Sequence, residues 1–150
     1  MRKIAMAALL LALVSGCGDD DIVSPGLNDL NKAIALWSTV GGNNYTMDQQ
    51  VSCFCPFVDN YRVTVENNSI TNVVKVGTTT TVPASQRAAF LTVSQLFDRI
   101  RTLLATKGAI VTVTYDAGSG YPKSAYFDPS PNVADDEVSY STANVALPLQ

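Results

Sequence analysis

Two cysteines one residue apart, in Cys53-Phe54-Cys55-Pro56, are the residues of this chain best suited by type and spacing to do chemistry. On an extended strand both sulfurs point to one face, with Cα atoms ~6.6 Å apart from a rise of ~3.3 Å per residue, near the upper limit for a disulfide. A local bend, which Pro56 favours, would let them close. Three chemistries fit the pair: a small-ring structural disulfide or two core cysteines, a strained disulfide that exchanges electrons, or a two-thiolate site for a soft metal such as copper(I). The redox reading lacks the helix N-terminus that usually activates a thiolate, and the metal reading lacks a histidine or a nearby methionine cluster. Parity with Tyr45, Met47, Gln49 and Val51 places both thiols on the buried side of a strand, which favours the structural reading.

The 150 residues include no histidine. Ser-His-Asp and Cys-His catalysis, histidine-ligated zinc and the usual near-neutral proton shuttle are thereby excluded. Asp116, Asp128, Asp135, Asp136 and Glu137 fall near strand ends of one sheet edge and could converge on a calcium ion. The segment Asp116-Ala117-Gly118-Ser119-Gly120 lacks the alternating oxygen ligands of an EF-hand loop, however, and a solvated turn is the plainer reading. No cofactor is expected, and the chain reads as non-enzymatic, with thiol redox or soft-metal binding through Cys53 and Cys55 as the alternative.

The third cysteine has a different setting. A basic start at Arg2 and Lys3, an unbroken apolar run over residues 4–14 and then Val14-Ser15-Gly16-Cys17 form the pattern of a bacterial lipoprotein signal, so residues 1–16 are a signal peptide and Cys17 is the lipidated first residue. The apolar run is about half the ~20 residues that span a bilayer. Two or three acyl chains, of the palmitate kind, attach a protein to a membrane effectively permanently. Two of the ten basic residues and none of the thirteen acids lie in residues 1–16, so the 134 residues that follow carry a formal charge of −5, with no Lys/Arg cluster. Nucleic acid is excluded as a partner on that balance. The expected partners are the membrane, through the anchor, and an envelope protein. Gly18 rather than aspartate follows Cys17, which for a Gram-negative cell favours the outer over the inner membrane.

These residues need elements to position them. Residues 17–27 carry Ser24-Pro25-Gly26 and read as the lipidated cysteine with a flexible tether, leaving 28–150 as a single globular domain. Leu30, Ala33, Ile34 and Trp37 recur at helical spacing behind an Asn28 cap, and Gly41-Gly42 ends that helix. Strand alternation over residues 45–54 and 61–66 leads to Asn67-Asn68, whose tolerance of positive φ suits a two-residue hairpin with Val65 facing Ile70 and Tyr61 facing Val74. Thr92-x-x-Gln95 is a capping box flanked by Leu91 and Leu96. The stripe Val93, Leu96, Phe97, Ile100, Leu103 and Leu104 follows, and Lys107-Gly108 supplies a stop. Three more strands are expected over residues 110–115, 124–128 and 138–145, while 78–83 reads as a loop.

The element order αβββ-αβββ predicts an α+β fold, a mainly antiparallel sheet of about six strands with two helices on one face. No residue-level repeat links the halves. The other face is expected to be polar, with Arg62, Thr64, Glu66, Thr71 and Lys75 on it.

Cys53-Phe54-Cys55-Pro56, Arg62-Val63-Thr64-Val65, Leu96-Phe97-Asp98-Arg99-Ile100, Val113-Thr114-Tyr115-Asp116, Gly120-Tyr121-Pro122 and Asp135-Asp136-Glu137, in this order, give the chain a resemblance to a family of bacterial lipoproteins known as a domain of unknown function (six-one-seven-four). The resemblance runs over most of residues 37–145. It supports the lipoprotein reading and the domain limits, and it implies nothing about substrate or catalytic residues.

Overall fold

The computed structural model describes residues 25–54 and 56–148. Residues 1–16, expected to be a signal peptide, Cys17 and Cys55 lie outside the described residues. Helix α1 (Pro25–Val40) is followed by β1 (Tyr45–Ser52), β2 (Asn60–Glu66) and β3 (Ser69–Lys75); a short 3-10 turn (Ala84–Ala89) precedes α2 (Val93–Leu104), and β4 (Ile110–Tyr115), β5 (Pro122–Asp128) and β6 (Val138–Ala146) complete the fold. All six strands form one antiparallel sheet in the order β3-β2-β1-β6-β5-β4. Each αβββ half is a meander, and the halves join where the first strand of one pairs with the last strand of the other.

One face of this sheet carries the core. Tyr45, Met47 and Val51 of β1, Tyr61, Val63 and Val65 of β2, Val73 of β3, Ala125 and Phe127 of β5, and Val138 and Tyr140 of β6 are buried in one cluster with Leu30, Ala33 and Trp37 of α1 and Val93, Leu96, Phe97 and Ile100 of α2. Burial of those stripes, rather than helix propensity, is what holds both helices to one face. The chain passes from one sheet edge to the other over this face. Its first anchor there is Gln49, fully buried, whose amide pairs with both backbone groups of Leu91 (Nε2 to O and N to Oε1, each 3.0 Å). Tyr45 Oη then accepts the Val93 N–H at 2.8 Å, and the Thr92/Gln95 capping box closes the first turn of α2 as its sequence predicts.

Three expectations need correction. Pro25, Gly26 and Leu27 belong to α1 rather than to a tether, and Asn28 lies inside the helix rather than at its cap. A proline in the first helical position loses no hydrogen bond, because that N–H has no partner in any helix. The hairpin does turn at Asn67 and Asn68, with φ of 50° and 62°, and Val65 does face Ile70. Beyond that pair, however, a bulge at Thr71 shifts the register, so that Tyr61 faces Lys75 and Val74 faces Arg62. Without the extra residue, Val63 would face Asn72 and Val73 would point to solvent. The bulge restores Val73 to the core and takes Lys75 off the polar face. Residues 78–82, read as a loop, fold back beside β3, where Val74 and Thr81 form a bridge and Val82 is buried.

Candidate functional site

The polar face of the sheet has a fixed centre. Asp48 of β1 faces Arg62 of β2, and although it lies on the uncovered face it is buried. Arg62 donates through Nε to Oδ1 and through Nη2 to Oδ2 (3.0 Å), and Asn144 Nδ2 donates to the same Oδ2 at 2.8 Å. Asn144 sits in a bulge where β6 passes β1, with φ of 51°, so a left-handed residue aims the amide at the carboxylate. The Arg62 hydrogen bond holds the Asp48 carboxyl below its ordinary range against the opposing effect of burial. Both oxygens of Asp48 are thereby hydrogen-bonded, which makes the trio a structural joint of β2, β1 and β6 rather than a reactive centre.

Chemistry-bearing residues gather instead at the sheet end where β1 stops and β6 starts. Ser52 pairs with Ser139, and Ser139 pairs with Tyr126, so these three share one row of the polar face. A cleft of about 290 Å³ opens there, lined by Ser52, Cys53, Phe54, Tyr126, Asp135 and Glu137 among others. Two segments more than eighty residues apart, the Cys-Phe-Cys loop and the acidic loop, meet through this register.

The Cys-Phe-Cys loop is rooted firmly and ends in an exposed ring. Gln50 Nε2 donates to Val58 O at 3.1 Å, Lys75 Nζ reaches Asp59 Oδ2 at 2.6 Å, and Phe57 packs on Tyr61 and Phe90 with ring centroids 5.9 and 5.4 Å away. Cys53 lies half-buried against the core, as its parity predicts, and its sulfur is engaged rather than free. Phe54 points the other way and is 92% exposed. Val58 and Val133, on neighbouring loops of the same sheet end, are exposed as well.

The acids opposite are crowded. Asp128 lies on the polar face of β5 two residues from Tyr126 and is only 6% exposed, and its Oδ1 and that of Asp136 find no hydrogen-bond partner among the described residues. Burial first, then the charges of Asp136 and Glu137, push the Asp128 carboxyl above its ordinary range, while the Ser130 N–H opposes the shift. The Tyr126 phenol is raised in the same way, by burial and then by Asp128, Glu137 and Asp136. Asp135 takes a left-handed backbone with φ of 66°.

Of the five acids expected to converge, four share this end and Asp116 does not. It stands at the opposite end of the sheet, in the β4–β5 turn, where its Oδ1 accepts from Gly118 N, Ser119 N and Ser119 Oγ at 3.0, 2.9 and 2.7 Å. Those bonds, the Ser119 hydroxyl first, hold it below its ordinary range and make it a turn former. Among the described residues no three Cys, Asp or Glu side chains lie so as to hold a metal ion. The sequence reading missed Ser52, Tyr126 and Ser139, which only the strand pairing brings together. It also missed Asp48, although an acid within an alternating strand and Arg62 within the next are the signal of a cross-strand pair.

A family of unknown function, DUF6174, matches residues 29–147. No curated protein and no solved structure matches the chain.

Proposed function

The chain belongs to the DUF6174 family, and from that premise we propose a non-enzymatic binding module, held at the bacterial cell envelope by lipid on Cys17, that engages an envelope protein through the Phe54 end of its sheet. The observation that carries this reading is the 92% exposure of Phe54 on a loop rooted by Gln50, Lys75 and Phe57. A phenylalanine has roughly 150–250 Å² to bury, worth several kcal/mol at ~25 cal/mol per Å². An aromatic held out in water on a fixed support is what a docking surface keeps for its partner.

In this reading Cys53 and Cys55 form a structural disulfide that stiffens the loop, in keeping with the half-buried place of Cys53 against the core. The acids beside Phe54 supply charge selection. The segment ahead of Pro25 gives the domain reach from the membrane, and an exported location keeps the disulfide oxidised.

The test replaces Phe54 with a photo-crosslinking phenylalanine analogue in the intact bacterium. A discrete adduct with one envelope protein is expected from this position and none from Ser124, exposed on the polar face of β5. Equal labelling from both positions, or none from Phe54, refutes the docking role. Intact mass of the purified protein, before and after reduction and alkylation, reports the acyl chains on Cys17 and the state of Cys53 and Cys55. A soluble, unacylated protein refutes the anchor.

A further inference from the structure

The two edges of the sheet are built differently. Along β3 the returning chain covers the edge: Lys75 N donates to Thr80 O at 2.9 Å, Val82 N donates to Val73 O at 2.8 Å, and the Arg87 guanidinium caps Thr71 O. At the other edge β4 pairs, among the described residues, only with β5. Ile110-Val111-Thr112-Val113-Thr114-Tyr115 contains no charge, proline or glycine, keeps a regular register through Thr114, and leaves Ile110 47% exposed. Natural sheets normally blunt such an edge with lysine, proline, a bulge or a covering segment, as β3 is blunted here. Clefts of about 320 and 270 Å³ lie beside β4 on its helix side, between Val111, Val113 and Tyr115 and the side chains of Leu36 and Leu104.

We propose that β4 pairs antiparallel with β4 of a second copy of this chain, about a two-fold axis normal to the sheet, making one continuous twelve-stranded sheet. Closure favours a second copy over a strand of another protein. Joining β4 to itself leaves two β3 edges, both already covered, so assembly stops at two. The strand also suits itself. Residues facing each other across an antiparallel pair share a side of the sheet, so the axis falls at Thr112 or at Val113. At Thr112, Val111 meets Val113 of the second copy; at Val113, Thr112 meets Thr114 of the second copy. Both arrangements set β-branched side chains together with no like charges opposed. Asp29 and Lys32 of α1, 3.9 Å apart as an ion pair within the helix, wall the cleft beside Val113 and Tyr115, so no unbalanced charge flanks the strand on that side.

Disulfide trapping on the full-length protein tests the pairing. Identical residues at the axis come within ~4.5–5.5 Å between Cα atoms, inside the disulfide range of ~4.4–6.8 Å. Either Thr112→Cys or Val113→Cys is expected to give a covalent dimer at least tenfold faster under mild oxidation than Ser141→Cys, an exposed position on β6. Thr112→Lys combined with Thr114→Lys, both outward-facing and exposed, is expected to leave the circular dichroism of the native fold unchanged, to lower the melting temperature only by the concentration-dependent part that dimerisation supplies, and to convert the protein from dimer to monomer in sedimentation velocity. Wild-type protein that sediments as a monomer, cysteines that cross-link no faster than the control, or a dimer that survives both lysines overturns the proposal. Protection of the β4 amides from hydrogen exchange in a monomer would assign the edge to another segment of the chain.

Discussion

Gly120→Ala is expected to be among the most damaging single-methyl additions this domain can suffer, and the structure says by how much. Gly120 closes the β4–β5 turn, where its N–H donates to Asp116 O at 2.8 Å, and its φ is +80°. An L-residue in the left-handed region costs ~1–2 kcal/mol. The added Cβ would also stand 2.3 Å from the carbonyl oxygen of Ala33, which is backbone of α1 and cannot rotate away. Forcing that overlap apart costs a further ~1–3 kcal/mol, as overpacking does elsewhere. The total, ~2–5 kcal/mol, is a large part of a typical stability of ~5–15 kcal/mol. Two other glycines separate the contributions. Gly108 has φ of +88° with nothing within 4 Å of an added Cβ, so Gly108→Ala isolates the backbone cost. Gly118 meets only Asp116 Oδ1 at 3.5 Å with no left-handed φ, so Gly118→Ala is expected to be near neutral. Trp37 is the only tryptophan and packs edge-on to Tyr45 and Tyr121, next to the turn, which makes its fluorescence the reporter for urea unfolding. With a mid-range slope of ~2 kcal/mol per molar urea, the Gly120→Ala midpoint should fall by ~1–2.5 M. A Gly120→Ala midpoint no lower than that of Gly108→Ala would refute the claim that this turn is seated against α1.

Three further perturbations follow from named contacts. Thr92→Ala removes the acceptor for the Gln95 N–H at 3.1 Å and should cost ~1 kcal/mol in the same urea assay, with Gln95→Ala accounting for the reciprocal bond. Asp128 has a folded-state pKa raised by burial, Asp136 and Glu137, so its contribution favours folding below the unfolded carboxylate pKa and is lost as pH rises through the folded value. Asp128→Asn should therefore raise the melting temperature at neutral pH and lose that advantage in acid; a gain that ignores pH would show the acids are not coupled. Asp48 has the opposite sign. Its pKa is lowered chiefly by Arg62, so the pair's contribution is present above the unfolded carboxylate pKa and fades as pH falls through the folded value. Arg62→Met leaves a buried carboxylate with Asn144 alone, and the loss should be ~1–3 kcal/mol at about pH 7 and shrink as pH falls through the folded Asp48 value, which lies below the ordinary carboxylate range. A pH-independent loss would assign the role of Arg62 to packing of its alkyl stem.

What the sequence made legible was local. Thr92 and Gln95 form their capping box, Asn67 and Asn68 make the positive-φ turn, and the inward parity of Tyr45, Met47, Gln49 and Val51 holds, because each depends on residues within one or two turns of chain. The features that escaped are those set by distant pairing. Thr71 and Asn144 both occupy bulges, and nothing in their neighbours marks them, since a bulge is decided by which side chains the partner strand needs turned inward. Gln49 reads as polar in a strand, yet it is fully buried, because the unpaired backbone of Leu91 above it requires both a donor and an acceptor. Asp116 and Asp128 both lie at strand ends, which alone suggests a shared site; antiparallel strands put successive ends at opposite sides of the sheet.

That same pairing makes the proposed docking surface a property of the whole fold. Phe54 follows β1 in the first half, and Asp135 and Glu137 precede β6 in the second, so only the β1–β6 register sets the ring beside the acids. A slip of one residue would turn Ser139 inward and carry Tyr140 out of the core. The Asn144 bulge lies in this joint, and the Asn144 amide on Asp48 ties the bulged residue to the pair formed with Arg62. Weakening the trio should therefore loosen the cleft at the far end of the same two strands as well as the centre of the sheet. A partner bound across Phe54 and the acidic loop would act in the other direction, bridging both halves and adding its binding energy to the stability of the β1–β6 seam.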